Sequence, residues 1–353
     1  MPLLTRVLAA ASSRSIYWRL RMRMGKVKLA VLAMAGGMIP MMGMSSNLEA
    51  EGYPRRPITL VVGGAPGSSV DLLARHLSRY MSDDLRQKVV VENKPGATGA
   101  LAALSVMRAA PDGYTVYLAG SSLILRELMY GQGEVNLLKD MAPIGMATGV
   151  PVVLIMGKHV PGATLDEVIR MAKRRKEALR CASGGSGSVG DFLCDAMQAT
   201  AGVQLIHVPY KQNAQALADL MEGRVDFYVS SVVGLLPHIQ ADRVRVMAVV
   251  SEGKFDQLAD VPNIGTFGFS SAAIPSWYAF LAPKGTPDEV ISRLNRSLNT
   301  VLGMAEVRQN LSELGYAVLP ASAASPEGLE DRIAKDTAAW SEILRYRGMS
   351  VVH

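Results

Sequence analysis

The chain has 353 residues, 49% of them hydrophobic and 19% charged, with a formal net charge of +6. This is ordinary globular composition, long enough for two domains of usual size. The basicity hints at nucleic acid, but Arg6, Arg14, Arg19, Arg21, Arg23, Lys26 and Lys28 carry it, and residues 51–353 hold 30 basic and 30 acidic side chains. A neutral body gives no support to a phosphate-backbone binder.

Residues 1–50 read as a secretory signal peptide. The basic segment ends at Lys28, and Leu29–Ser46 is apolar but broken by Gly36, Gly37 and Pro40. It falls short of the roughly 20 unbroken apolar residues of a spanning helix. An uncleaved N-terminal anchor is the alternative. Cleavage is expected near Ser46 or Ala50, and Met22 or Met24 is an alternative start. The product is expected to be exported to the periplasm, soluble and monomeric.

Beyond the leader, strands and helices alternate. Strands are predicted at 58–64, 88–93, 114–120, 150–158, 179–183, 203–210, 225–231, 244–250 and 276–287. Helices are predicted at 69–85, 95–110, 164–179, 189–202, 213–223, 235–242, 288–302, 305–315 and 326–347. Short apolar strands separated by amphipathic helices indicate an α/β fold with parallel sheets covered on both faces. Thr164 with Glu167 gives a capping box. The basic run Lys173–Lys176 then suits the C-terminal end of a helix dipole better than a nucleic-acid patch. Cys181 on a strand and Cys194 in the next helix look poorly placed to bridge, so two buried thiols are expected.

Enzyme signatures are weak. The loop after the first strand, "GGAPGSSVD" (63–71), lacks the lysine of a triphosphate-cradling loop. "GSGSVG" (185–190) fits a dinucleotide fingerprint, yet no acid ends the following strand, as that chemistry requires. The closing glycine of a nucleophile elbow is replaced by Ser188. His76, His159, His207, His238 and His353 form no metal-like cluster, and no triad or paired carboxylates stand out. No cofactor or metal is expected. What remains is five loops at strand C-termini, rich in Gly and Ser: 63–71, 120–123, 183–188, 210–212 and 230–233. Glycine lets the backbone come close to a ligand, and Ser hydroxyls and helix-N-terminal amides donate hydrogen bonds. Together they describe an anion site without catalytic groups. The alternative is an NAD(P)-dependent α/β enzyme using the Gly185–Gly190 loop.

Taken in order, "YPRRPITLVVGGAPGSSVDLLARHL", "VVVENKPGATG", "APDGYTVYLAGSS", "HVPYK", "LLPHI", "DVPNIGTFG" and "SWYAFLAPKGTP" resemble the Bug family, the periplasmic receptors of tripartite tricarboxylate transporters. The resemblance runs from about Tyr53 to the C-terminus. It implies a two-lobed periplasmic-binding-protein fold, each lobe a mainly parallel sheet flanked by helices, with the ligand cleft between lobes. Lobe one would be 53–150 plus 275–353, and lobe two 151–274. The implied ligand is a small carboxylate, captured by hinge closure. The implied partners are membrane transporter subunits, or a signalling partner if the receptor serves a sensor. Ligand-binding positions carried over are Gly64, Ala65, Gly67, Ser68, Ser69, Asp71, Ser121 and Ser122 in lobe one. In lobe two they are Ser183, Gly184, Ser186, Ser188, Asp191, Tyr210 and Ser230. Departures from the family pattern concern ligand identity. Gly63, Gly64 and Ala65 replace a bulkier opening, and Ser68 replaces a glycine. Asp191 stands where His is frequent, Ser230 where an acid is frequent, and Phe267 where Glu is common.

Overall fold

The computed structural model describes residues 52–130, 134–174, 177–250, 255–269, 276–319 and 324–346. The expected signal peptide and cleavage point, and Arg175 and Lys176 of the basic run, lie outside the described residues. The chain opens with β1 (Ile58–Val62), α1 (Ser69–Leu85), β2 (Val89–Asn93), α2 (Ala100–Met107), β3 (Thr115–Gly120), α3 (Ser122–Tyr130), α4 (Leu137–Asp140) and β4 (Met141–Val150). Next come β5 (Val152–Met156), α5 (Leu165–Arg174), β6 (Leu179–Ser183), α6 (Val189–Ala201), β7 (Leu205–Pro209), α7 (Asn213–Met221), β8 (Phe227–Ser231), α8 (Leu236–Gln240) and β9 (Arg245–Val250). β10 (Ser276–Pro283), α9 (Asp288–Gly303), α10 (Ala305–Leu314) and α11 (Pro326–Tyr346) follow.

Two five-stranded sheets result, ordered β2-β1-β3-β10-β4 and β7-β6-β8-β5-β9. They share one plan. β1 pairs parallel with β2 and β3, and β6 pairs parallel with β7 and β8. One antiparallel strand then sits between the trio and the far edge: β10 in the first sheet, β5 in the second. Each antiparallel strand is contributed after a crossing from the other sheet. Val150 pairs with Ser276, and Val152 pairs with Val250, so the two crossings run side by side. This is a two-lobed α/β fold.

The central strands are buried on both faces, which explains their unbroken apolar runs. In β1, Ile58, Leu60 and Val62 enter one core cluster, while Val61 enters another on the opposite face. Sequence reading places one strand over 150–158. The structure instead ends β4 at Val150 and begins β5 at Val152, in different sheets, across Pro151. β4 was not legible because Pro143, Gly145 and Gly149 break its pattern. It tolerates them as an edge strand, where an absent N–H is harmless. The helix α3 was also missed. On α5, Glu167 N–H donates to Thr164 Oγ1 at 3.3 Å and Glu167 Oε2 accepts from the Ala163 amide at 2.7 Å, a capping box shifted by one residue.

Cys181 and Cys194 are disulfide-bonded, with Cα atoms 6.1 Å apart, so the expectation of two thiols is corrected. The strand–loop–helix turn folds α6 back over the face of β6 on which Cys181 is buried. Both cysteines therefore belong to one core cluster, at a separation that suits a bridge. In the same cluster Phe192 of α6 meets Trp340 of α11 edge to face, with centroids 4.9 Å apart. No described helix is long and apolar enough to cross a membrane.

Candidate functional site

The parallel strands of both sheets point their C-terminal ends at one cleft, where helix N-termini converge. In the first lobe, β1 passes into Gly63–Ser68 and then α1. Ser68 N–H donates to Ala65 O at 3.0 Å, and Gly67 takes a left-handed φ of +80°, which glycine adopts without strain. Gly67 N–H donates to Asp71 Oδ2 at 2.8 Å. Asp71 is only 2% exposed and also accepts from Arg75 Nε at 3.0 Å and Asn93 Nδ2 at 2.9 Å. Burial pushes its pKa up, but Arg75, the Gly67 amide and Asn93 outweigh that and hold it below the usual carboxylate value. Asn93 Nδ2 also donates to Gly64 O at 3.0 Å, which ties the loop to the end of β2.

Ser68 is the N-cap of α1, yet its side chain makes no cap bond, and its buried Oγ has no partner. The first amides of α1 thus lack a side-chain acceptor at the end where the dipole favours an anion. Ser69 behaves differently: its Oγ lies 2.6 Å from the Tyr278 hydroxyl, and its carbonyl accepts from the Tyr316 hydroxyl. Ser121 is likewise engaged. Its amide donates to Trp277 O at 3.0 Å, and its Oγ accepts from Trp277 N at 3.2 Å. No hydrogen bond within the described residues engages the Ser122 hydroxyl, at the start of α3.

The second lobe repeats the loop. Gly187 has φ +77°, and its N–H donates to Asp191 Oδ2 at 2.8 Å. Ser188 N–H donates to Gly185 O at 3.2 Å. Here the cap closes on itself, because Ser188 Oγ accepts from Asp191 N at 3.1 Å. Beneath the loop, His207 Nδ1 lies 3.1 Å from Asp191 Oδ1, and His207 Nε2 lies 2.6 Å from Ser183 Oγ. Sequence reading found no triad, and the fold assembles one in outline. Ser183, however, is 0% exposed and its Oγ accepts from Gly185 N at 3.1 Å, so it props the loop instead of facing solvent. Tyr130 of α3 stands near Asp191 from the first lobe; burial, then the charges of Asp191 and Asp195, raise its pKa. Thr98 Oγ1 donates to Ser186 O at 2.9 Å, a link across the cleft. Tyr210 turns its hydroxyl to Asp219 Oδ2 at 2.7 Å, and burial, then that bond, pushes its pKa up to about 12.

The cleft has two adjoining compartments, of about 170 Å³ and about 870 Å³, which share Ser69, Gly120, Ser122, Gly184, Asn213 and Tyr278. Of the positions expected from sequence, Gly64, Ala65, Ser68, Ser69, Ser121, Ser122, Gly184, Ser186, Ser188, Tyr210 and Ser230 line it. Gly67, Asp71, Ser183 and Asp191 do not; Gly67 is an exposed loop residue, and the other three are buried behind the loops, where Asp71 and Asp191 hold the glycine amides. Asp191, which stands where His is frequent in the family, therefore does not add charge to the cleft wall. Sequence reading missed Tyr278, Asn213 and Thr98. Tyr278 reaches the site only because β10 inserts antiparallel beside β3, pairing Tyr278 with Gly120. The small Gly63 also has a different use from the expected opening. A Cβ there would lie 2.4 Å from Gly99 Cα, so its missing side chain lets two loops touch. Among the described residues, no group of three His, Cys, Asp or Glu could hold a metal ion.

The chain matches the family described as "Tripartite tricarboxylate transporter family receptor" over residues 73–349. It is 33% identical to a UPF0065 protein in the tcbD-tcbE intergenic region of Pseudomonas sp. strain P51, covering 84% of this chain and 88% of the relative. It is 30% identical to BugT of Bordetella pertussis, covering 90% and 97%. Among solved structures, the periplasmic binding protein BugD superposes with TM-score 0.77 at 30% identity, over 84% of this chain and 99% of the other. MatC from Rhodopseudomonas palustris with bound malate gives 0.76 at 28%, over 83% and 100%. An R. palustris protein with adipate gives 0.77 at 28%, over 84% and 99%. The chain belongs to the Bug family of tripartite tricarboxylate transporter receptors.

Proposed function

We propose that this protein is a periplasmic receptor that captures a small carboxylate between its lobes and delivers it to a tripartite tricarboxylate-type transporter. The observation that carries the reading is the start of α1. Its N-cap hydroxyl, Ser68 Oγ, is buried without a partner, and no side chain caps its amides. A carboxylate there would take hydrogen bonds that the fold leaves unmade, strengthened by exclusion of water. Ser122 is a further free donor on the same wall. The relatives solved with malate and with adipate support the same chemistry.

The lobes on this reading are 53–150 plus 275–353 and 151–274, closing about the paired crossings at Val150–Val152 and between β9 and β10. The Thr98–Ser186 bridge is a contact that closure makes. The protein works as a monomer without cofactor and catalyses nothing. The dinucleotide alternative is disfavoured because Ser188 and Asp191 already occupy the amides that a pyrophosphate would need. Calorimetric titration with malate, adipate and related acids tests the proposal. Saturable binding weakened by Ser68→Ala is expected, and no binding across the panel would sink it.

A further inference from the structure

We infer, resting on the reading of the cleft as the ligand site, that His207 is a positioning residue: it lines neither compartment and sets the second-lobe wall through two other side chains. That wall is the loop after β6, which presents Gly184, Ser186 and Ser188 to the cleft. Two of its amides are held by side chains. Ser183 Oγ accepts from Gly185 N–H at 3.1 Å, and Asp191 Oδ2 accepts from Gly187 N–H at 2.8 Å. Those acceptors come from different elements, the end of β6 and the first turn of α6. The imidazole of His207, on the neighbouring strand β7, stands between them. Its Nε2 is 2.6 Å from Ser183 Oγ, and its Nδ1 is 3.1 Å from Asp191 Oδ1.

The proton placement follows from the partners. A carboxylate only accepts, so Nδ1 carries a proton and donates to Asp191. Ser183 Oγ already accepts from Gly185, so its own proton is free to go to Nε2. One neutral imidazole thus satisfies both side chains at once, and a single ring fixes where the two amide acceptors sit. Ser183 is fully buried and Asp191 nearly so, and removing the ring would unpair polar atoms away from solvent. The first lobe shows the same device with a different residue. Asn93, at the end of the strand beside β1, donates to Asp71 Oδ1 at 2.9 Å, and Asp71 holds the Gly67 amide. Asn93 thus acts on one amide acceptor of its loop, whereas His207 acts on both acceptors of the other.

Amide solvent exchange, followed by NMR on the ligand-free protein, tests this. The Cys181–Cys194 bridge keeps α6 on β6 whatever side chain replaces His207, so the variants are expected to fold. His207→Ala should speed exchange at both Gly185 and Gly187 about fivefold, because each amide loses a fixed acceptor. His207→Asn keeps a donor where Nδ1 stood and should restore Gly187 alone. His207→Gln keeps an acceptor where Nε2 stood and should restore Gly185 alone. Calorimetry with malate and adipate then reads the wall: His207→Ala should weaken whichever acid binds about threefold. Unchanged exchange or undiminished affinity in His207→Ala, or equal acceleration of both amides in all three variants, would overturn the positioning role. Wild-type protein that binds neither acid would count against the capture reading and leave the positioning role to the exchange rates, which need no ligand.

Discussion

Asp71 and Asp191 hold the same place in two loops: each accepts, at 2.8 Å, the amide of the glycine four residues before it. In both loops that glycine is left-handed and the following serine caps a helix. The two loops differ at the cap. The Ser188 hydroxyl bonds its own helix, whereas the Ser68 hydroxyl bonds nothing. One wall of the cleft is satisfied internally, and the other keeps an unpartnered hydroxyl and a helix start without a side-chain cap.

This asymmetry separates stability from binding. Ser188→Ala should cost about 1 kcal/mol of stability, as for other N-cap losses. Ser68→Ala should leave the melting temperature within about 2 °C, because it removes an unpartnered hydroxyl. It should still weaken carboxylate binding about tenfold, since hydrogen bonds to charged groups contribute about 1.5–3 kcal/mol. Thermal melts and calorimetry on both variants check this. A reversed pattern would refute the assignment of Ser68.

Acidification should release the loop braces. Asp71 and Asp226 are both held below the usual carboxylate value. At Asp226 burial pushes upward and is outweighed by the Arg180 side chain and amide and by His159. A depressed native pKa stabilises the fold above the unfolded value of about 3.9, and that contribution is lost as pH falls through the native value. The melting temperature is therefore expected to drop steeply below about pH 4. Asp71→Asn should melt lower at pH 7 and show a shallower acid limb. An unchanged limb would show that Asp71 does not contribute.

The disulfide fixes both flanks of the second-lobe loop, since Cys181 precedes Ser183 and Cys194 follows Asp191. Thiol titration in denaturant should find no free thiols in residues 51–353 before reduction and two after it. Replacing both cysteines by alanine should lower stability by about 3 kcal/mol, the scale expected for closing a loop of this length. Two reactive thiols in the unreduced protein would contradict the bridge.

Gly63 should resist any side chain. Its Cβ would lie 2.4 Å from Gly99 Cα, which belongs to backbone and cannot rotate away. Gly63→Ala is expected to cost about 1–3 kcal/mol by overpacking and to displace the loop at 96–99. A melt within 1 °C of the wild type would show that the two loops separate freely.

Thr98 should act in closure. Its hydroxyl reaches Ser186 O from the opposite lobe. Thr98→Val should speed ligand dissociation several-fold with little change in association, because most interface changes act on release. Stopped-flow tryptophan fluorescence can follow it, since Trp277 borders the smaller compartment. Equal dissociation rates would remove Thr98 from the closing mechanism.

The sequence determined the element types along most of the chain and the cluster of Gly/Ser loops at strand ends. Those signals are local: apolar runs, turn residues and cap residues act within a few positions. It also located all the net charge in the leader, which left no support for reading the body as a nucleic-acid binder. What it did not determine is which loop residues face the cleft. In sequence Asp71 reads as either a loop brace or a ligand contact and Asp191 as a ligand contact; both turn inward, where two glycine amides need acceptors. Tyr278, Asn213 and Thr98 enter the site through long-range strand insertion and lobe packing, and no local pattern encodes those. The Cys181–Cys194 bridge had the same origin, since its geometry depends on how α6 folds back on β6. Local propensity wrote the elements, and the antiparallel crossing of one strand into each sheet chose the side chains that line the cleft.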